Sequence, residues 1–260
     1  MSGTTPATAA HAPAGRPFTA IVGVTFRSLL SRRRSLLVLL FVLIPIALAL
    51  FIRAVGVPES PNDIANAVLD SFVTVVVLPL VALLFGTATL GSEIDDGTIV
   101  YLLAKPIPRW EILAAKLLVA EVATLALVVP STLLTGVILL AGTSGDMTIA
   151  YAYTVGVAVG AVVYVAIFVA MSVVTSRALV LGLAYILIWE GFLASLFAGT
   201  KNLSVREYSV SIAQAIAGQD LASTTPIAVE VAVPLSIVVT VVAIAIAIRR
   251  LGSFEVKEPG

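Results

Sequence analysis

Two carboxylates, Glu121 and Glu190, stand inside apolar runs long enough to cross a bilayer. A charge at such a depth costs at least about 2.5–3.5 kcal/mol unless it is protonated, paired or turned towards water. Glu190 lies about eleven residues into its run, roughly 16 Å at 1.5 Å per residue, near the middle of a ~30 Å hydrocarbon slab. Two roles stay open for it: it lines a polar route or a seam between copies, or it sits protonated and hydrogen-bonded between helices. Glu121 lies about nine residues into its own run. Lys116 is more than one helical turn before it and makes a poor local partner, so a structural or interfacial role is expected. Other chemistry is thinly supplied. The chain has no cysteine, and its single histidine, His11, lies near the N-terminus. Ser-His and Cys-His nucleophiles and His or thiolate metal sites are therefore not expected. Gly199-Thr200-Lys201 lacks the upstream glycine of a phosphate-binding GxxxxGK[ST] loop, and no other stretch supplies one.

The elements that must hold these groups are membrane helices. Hydrophobic residues make up 60% of the 260 residues and charged residues 12%, against about 25% charged in soluble domains. Mean hydropathy is +1.12. The length suffices for about six spans of roughly 20 residues with short connections. The expected fold is an all-α integral membrane protein with six transmembrane helices. Residues 1–15, rich in Ala, Thr, Pro and Gly, read as a disordered tail without the pattern of a cleaved signal peptide. Residues 16–34 read as an amphipathic interfacial helix, with Phe18, Ile21, Val22, Phe26, Leu29 and Leu30 on one face and Arg32, Arg33 and Arg34 at its end. Residues 35–250 form the six-span domain, and 251–260 a short polar tail.

Within that domain the spans are expected near 35–52, 72–90, 112–140, 149–174, 179–198 and 229–248. Glu59, Asp63 and Asp70 fall in the loop between the first two. Residues 142–146 make a tight turn, and Gly156 and Gly160 form a small-xxx-small pair that lets another helix come close. Ser204 and Glu207 make a capping box. That box opens an amphipathic external helix between spans 5 and 6, with Val205, Tyr208, Ile212, Ala215 and Ile216 along one side.

Orientation follows from the cations. With the N-terminus inside, Arg16, Arg27, the Arg32–Arg34 run, Lys105, Arg109, Lys116, Arg177, Arg249, Arg250 and Lys257 are internal. Only Arg53, Lys201 and Arg206 are external, so twelve of fifteen Lys and Arg lie inside. Both termini are then cytosolic and the chain is multi-pass in the cytoplasmic (inner) membrane. A net charge of zero gives no reason to expect a nucleic acid partner.

The longest dense run of charge, Gly and Pro between two apolar segments is 91–111. Ser92 and Asp95 suit a helix start, with Glu93 and Asp96 at the positive end of its dipole. Ile99, Leu102 and Leu103 make one apolar stripe, and Lys105 followed by Pro106 stops the helix. About twenty residues is more than two spans need for a connection. An apolar stripe held at the membrane surface needs lipid headgroups or another protein to cover it.

An acidic residue followed by Gly97-Thr98-Ile99, then Tyr101 to Leu113 and Lys116, resembles the permease subunits of type-2 ABC (ATP-binding-cassette) transporters over residues 93–116. The resemblance implies a cytosolic coupling helix between spans 2 and 3 that docks on a separate ATPase. The residues it assigns to that contact are Glu93, Asp96, Gly97, Thr98, Ile99, Tyr101, Leu102, Leu103, Lys105, Pro106 and Arg109. It also implies two ATPase copies, a second permease copy or close relative, and an exporter. No cofactor is expected on this chain, ATP and Mg being held by the ATPase. The rival readings are an ion-coupled secondary transporter or accessory membrane protein using Glu190 and Glu121, and a membrane-embedded enzyme. The second of these lacks a nucleophile–base pair.

Overall fold

The computed structural model describes residues 22–25, 32–95, 108–193, 198–218, 221 and 227–252. Every element among them is helical. The first long helix, α1 (Arg32–Val55), carries Pro45 inside it. Arg32–Arg34 therefore form the first turn of the span helix, where the sequence reading placed them at the end of a separate interfacial helix. Of that interfacial helix, residues 22–25 are helical and 26–31 lie outside the described residues.

The second span starts earlier than its hydropathy suggested. Ser60 caps Pro61–Asn66, its hydroxyl accepting the Asp63 N–H at 3.3 Å, with Pro61 in the first turn where its missing N–H costs nothing. The helix then passes through a π-helical stretch, Ala67–Val77, and continues as Leu78–Asp95. These three pieces are α2. The Thr74 hydroxyl donates to the Leu69 carbonyl five residues back at 2.8 Å, matching the wider π turn. Asp70, expected in a loop, is consequently inside the span and buried.

The third helix, α3 (Arg109–Leu140), is 32 residues long, ~48 Å at 1.5 Å per residue, and overshoots a bilayer core. The turn to the next helix uses Gly142 at φ 71° and hangs on Asn62, whose Oδ1 accepts the Asp146 N–H at 2.8 Å. Then α4 (Thr148–Val174) runs through the centre of the molecule. It packs against α2, α3, the helix that follows Ser204 and the last helix. Most of its residues are buried, and Tyr151, Val155 and Val162 make up an exposed face.

After the Ser176-Arg177 turn comes α5, α-helical over Ala178–Ala184 and π-helical over Tyr185–Leu193. Its described part spans 16 residues, 194–197 lying outside the described residues; the helices that are long and apolar enough to cross a membrane among the described residues are Leu36–Val55, Pro61–Leu90, Arg109–Leu140, Thr148–Val174 and Val229–Gly252. A 3₁₀ turn, Ala198–Leu203, leads into α6 (Val205–Ala217). Last is α7 (Val229–Gly252), with Pro234 inside it.

The α6 helix begins at Ser204 and ends at Gly218, which takes the left-handed conformation that glycine adopts without strain. Its placement differs from the surface position expected of an external helix. Val205, Glu207, Tyr208, Ser209, Val210, Ser211, Ile212 and Ala213 are all buried. The helix lies antiparallel to α4, with Ser209 seated against Gly156 and Gly160. The two glycines, one turn apart, remove the side chains that would hold α6 away.

A Cβ on Gly156 would overlap the Ser209 carbonyl and approach the Ala213 Cβ to 3.2 Å. On Gly160 it would meet mainly the Ser209 hydroxyl, which can rotate away. Gly156→Ala is therefore expected to cost about 1–3 kcal/mol and Gly160→Ala distinctly less. Thermal unfolding of the two variants in detergent measures the difference; equal midpoints would refute this account of the contact.

Candidate functional site

A helix that starts partway up a membrane domain leaves N–H groups in a place where water cannot reach them. The first turn of α6 is such a start, and Glu190 from α5 satisfies it. Glu190 Oε1 accepts the Val205 N–H at 2.9 Å and the Tyr185 hydroxyl at 3.0 Å. Its Oε2 accepts the Ser204 hydroxyl at 2.5 Å. Ser204 Oγ in turn accepts the Glu207 N–H at 3.3 Å, which is one half of the expected capping box; the Ser204 N–H goes instead to the Lys201 carbonyl at 3.0 Å and the Glu207 carboxylate to Arg206. Negative charge at a helix N-terminus is also favoured by the macrodipole. Of the two roles left open for Glu190, the structure thus supplies the interhelical one: it joins α5 to the tip of α6. Tyr164 stacks on Phe168, both fully buried, and Phe168 meets Tyr185 edge-on beside this cluster.

Beside it is an ion network that hydropathy did not reveal. Arg206 Nη2 donates to both oxygens of Asp70, at 2.8 and 2.7 Å, and Nη1 donates to Glu207 Oε1 at 3.0 Å. Asp70 and Glu207 are buried, and the Arg206 side chain is 19% exposed. The tip of α6 is therefore held from two spans at once, by Glu190 of α5 and by Asp70 of α2. The signal that could have found Asp70 is Ser60-Pro61, a helix start well before the assumed beginning of the span at 72.

Glu121 stands apart from this cluster on α3. Its Oε2 is buried without a hydrogen-bond partner among the described residues. Lys116 does not serve it, since the Lys116 Nζ is buried and donates to the Thr89 carbonyl near the end of α2 at 2.6 Å. About two turns earlier, Arg109 Nη1 donates to the Leu251 carbonyl of α7 at 2.9 Å and also to that of Gly252. The stem of α3 is thereby tied to α2 through Lys116 and to the last turn of α7 through Arg109. Trp110 beside it is exposed, at the height where amphipathic rings anchor helices.

Of the residues assigned to ATPase contact, Arg109 is accounted for by this clamp, and Glu93 lies in the last turn of α2. Asp96, Gly97, Thr98, Ile99, Tyr101, Leu102, Leu103, Lys105 and Pro106 lie outside the described residues. Arg109→Ala should free the end of α7, costing up to about 1.5–3 kcal/mol for a charge-assisted bond. Faster hydrogen exchange in the last turn of α7, with α4 unchanged, would register this; unaltered exchange there would contradict the clamp.

Arg109, Lys116, Arg177, Arg249 and Arg250 gather at one end of the helices, the end where α3 meets α7 and α4 turns into α5. Arg53 is at the other end, its Nη2 donating to the Ala141 carbonyl at 3.0 Å. Residues 20–255 match the family model described as ABC-2 family transporter protein. No curated protein matches the chain.

Proposed function

The chain belongs to the ABC-2 transporter family and is its multi-pass membrane component, a permease and not the ATPase; from that premise we propose that it works as half of an ATP-driven exporter in the cytoplasmic membrane. The basic end faces the cytosol, by the positive-inside rule. There two copies of a separate ATPase, holding ATP and Mg, engage two permeases through the segment from Glu93 to Arg109.

The observation that carries this reading is the double clamp at the root of α3. A load applied to the chain between α2 and α3 reaches α2 through Lys116 and Thr89, and α7 through Arg109. Three spans are thus moved together by one contact. From α2 the displacement reaches Asp70, hence Arg206 and the tip of α6. A segment joined so directly to packed helices transmits a rigid-body shift, because packed interfaces switch between discrete arrangements instead of deforming smoothly.

The ion-coupled alternative needs a carboxylate free to exchange protons with a route. Glu190 is already engaged by Tyr185, Ser204 and Val205, which leaves that alternative only Glu121, buried on α3 and without a hydrogen-bond partner for its Oε2 among the described residues.

The test is association with an ATPase. The wild-type permease should co-purify with its ATPase and change its rate of hydrolysis. Leu102→Asp should abolish that effect while leaving membrane insertion intact. Unchanged hydrolysis with Leu102→Asp, or a permease that transports without any ATPase, would overturn the proposal.

A further inference from the structure

At the basic end, the faces of α4, α5 and α7 leave a groove of about 630 Å³ that opens sideways. Met171 and Val174 of α4, Leu181 of α5 and Val239, Val242 and Ile246 of α7 line it, and Thr175 at its base is its one polar side chain. Val174, Leu181, Val242 and Ile246 are each between 46% and 49% exposed, so no other part of the described chain covers this wall.

The rim has the opposite chemistry. Arg177 stands one turn below Leu181, whose N–H bonds to the Arg177 carbonyl at 3.1 Å. Arg249 and Arg250 follow Ile246 by three and four residues, which puts them on the same face of α7, one turn further towards that end. All three arginines are exposed. The segments 166–189 and 231–252, which supply walls and rim, contain no Asp or Glu. An apolar slot in the membrane zone with three cations at its polar mouth complements a molecule with a hydrocarbon tail and an anionic head.

We propose that this groove is a binding site for an anionic phospholipid of the leaflet at the basic end, its acyl chain between α4 and α7 and its phosphate at Arg177, Arg249 and Arg250. A zwitterionic lipid would fill the slot equally well but gain little net attraction at the rim, and an apolar partner helix would have no use for three cations. A lipid held there cements α7 to α4 and α5 where α4 and α7 leave a gap. It does so at the same end where Arg109 grips α7. The site does not depend on the ATPase, so its failure would leave the permease reading standing, and the reverse holds too.

The experiment is native mass spectrometry of the full chain in a non-ionic detergent, titrated with phosphatidylglycerol and, separately, phosphatidylcholine. The expected result is one phosphatidylglycerol retained per chain, with a preference over phosphatidylcholine of about tenfold or more. The triple variant Arg177→Gln/Arg249→Gln/Arg250→Gln changes only exposed side chains and should bring the preference close to one. Val242→Trp should fill the slot and reduce retention of both lipids. Equal retention of the two lipids by the wild-type chain would overturn the site, as would an unchanged preference in the triple variant. Disulfide cross-linking of Val242→Cys between two copies in native membranes would also overturn it, since a protein would then occupy the groove.

Discussion

Arg206→Met is expected to be among the most damaging single substitutions in this protein, lowering stability by about 3–5 kcal/mol. Breaking a buried ion pair by removing one partner costs far more than the pair contributes, because the remaining charge stays in a medium that solvates it poorly. Here one substitution strands two carboxylates, Asp70 and Glu207, which are both buried. Partial exposure of the arginine places the effect in the lower part of that range. Asp70→Asn should cost less, since Arg206 keeps Glu207 and one oxygen of the amide. Adding Asp70→Leu to Arg206→Met should recover part of the loss, because neutralising both partners removes the stranded charge on α2. Denaturant or thermal unfolding in detergent gives the order directly. An Arg206→Met midpoint no lower than that of Asp70→Asn would show that the network does not hold α6 in place.

Glu190→Leu should come next, at about 2–4 kcal/mol, less than the sum over its lost bonds because hydroxyls can turn to other acceptors. The substitution strands the Val205 N–H, which has no freedom to turn, and leaves the hydroxyls of Ser204 and Tyr185 to find new partners. Glu190→Gln keeps one acceptor oxygen and should be milder in stability. The local readout is hydrogen exchange at the first turn of α6, which should accelerate in Glu190→Leu while the last turn of α4 is unchanged. If exchange at α6 stays as slow as in the wild type, Glu190 does not cap that helix.

Both predictions concern a part of the molecule that hydropathy describes poorly. The run from 179 to 198 reads as an ordinary span because Leu, Ile, Phe and Ala dominate it. Its described course, a helix turning π-helical from Tyr185, brings Glu190 to the α6 N-terminus. The region from 199 onward reads as a polar external segment because Lys201, Asn202, Arg206 and Glu207 lie in it. In the structure the polar side of the helix is spent on Asp70 and Glu190, so α6 can lie against the middle of α4. Asp70 was missed for the converse reason. A carboxylate flanked by Pro58, Pro61, Glu59 and Asp63 looks like part of a loop until its partner is known.

Composition and local signals sufficed for what depends on neighbours in sequence. They determined an all-helical membrane protein, the long spans, the turn at Gly142, the cap at Ser204 and the concentration of arginine at one end. The family-like segment from Glu93 to Lys116 was legible for the same reason, being a short contiguous pattern. The tertiary structure alone decided how deep α6 lies, which carboxylates hold it, and that Arg109 and Lys116 bind carbonyls of other spans. Those partners are separated by as many as 142 residues where Arg109 meets Leu251, and by 136 where Arg206 meets Asp70. A polar side chain in an apolar slab must find a partner, yet the pressure to pair is the same for every candidate. Only the packing of α2, α4 and α7 around α6, allowed by Gly156 and Gly160, selects which one is within reach.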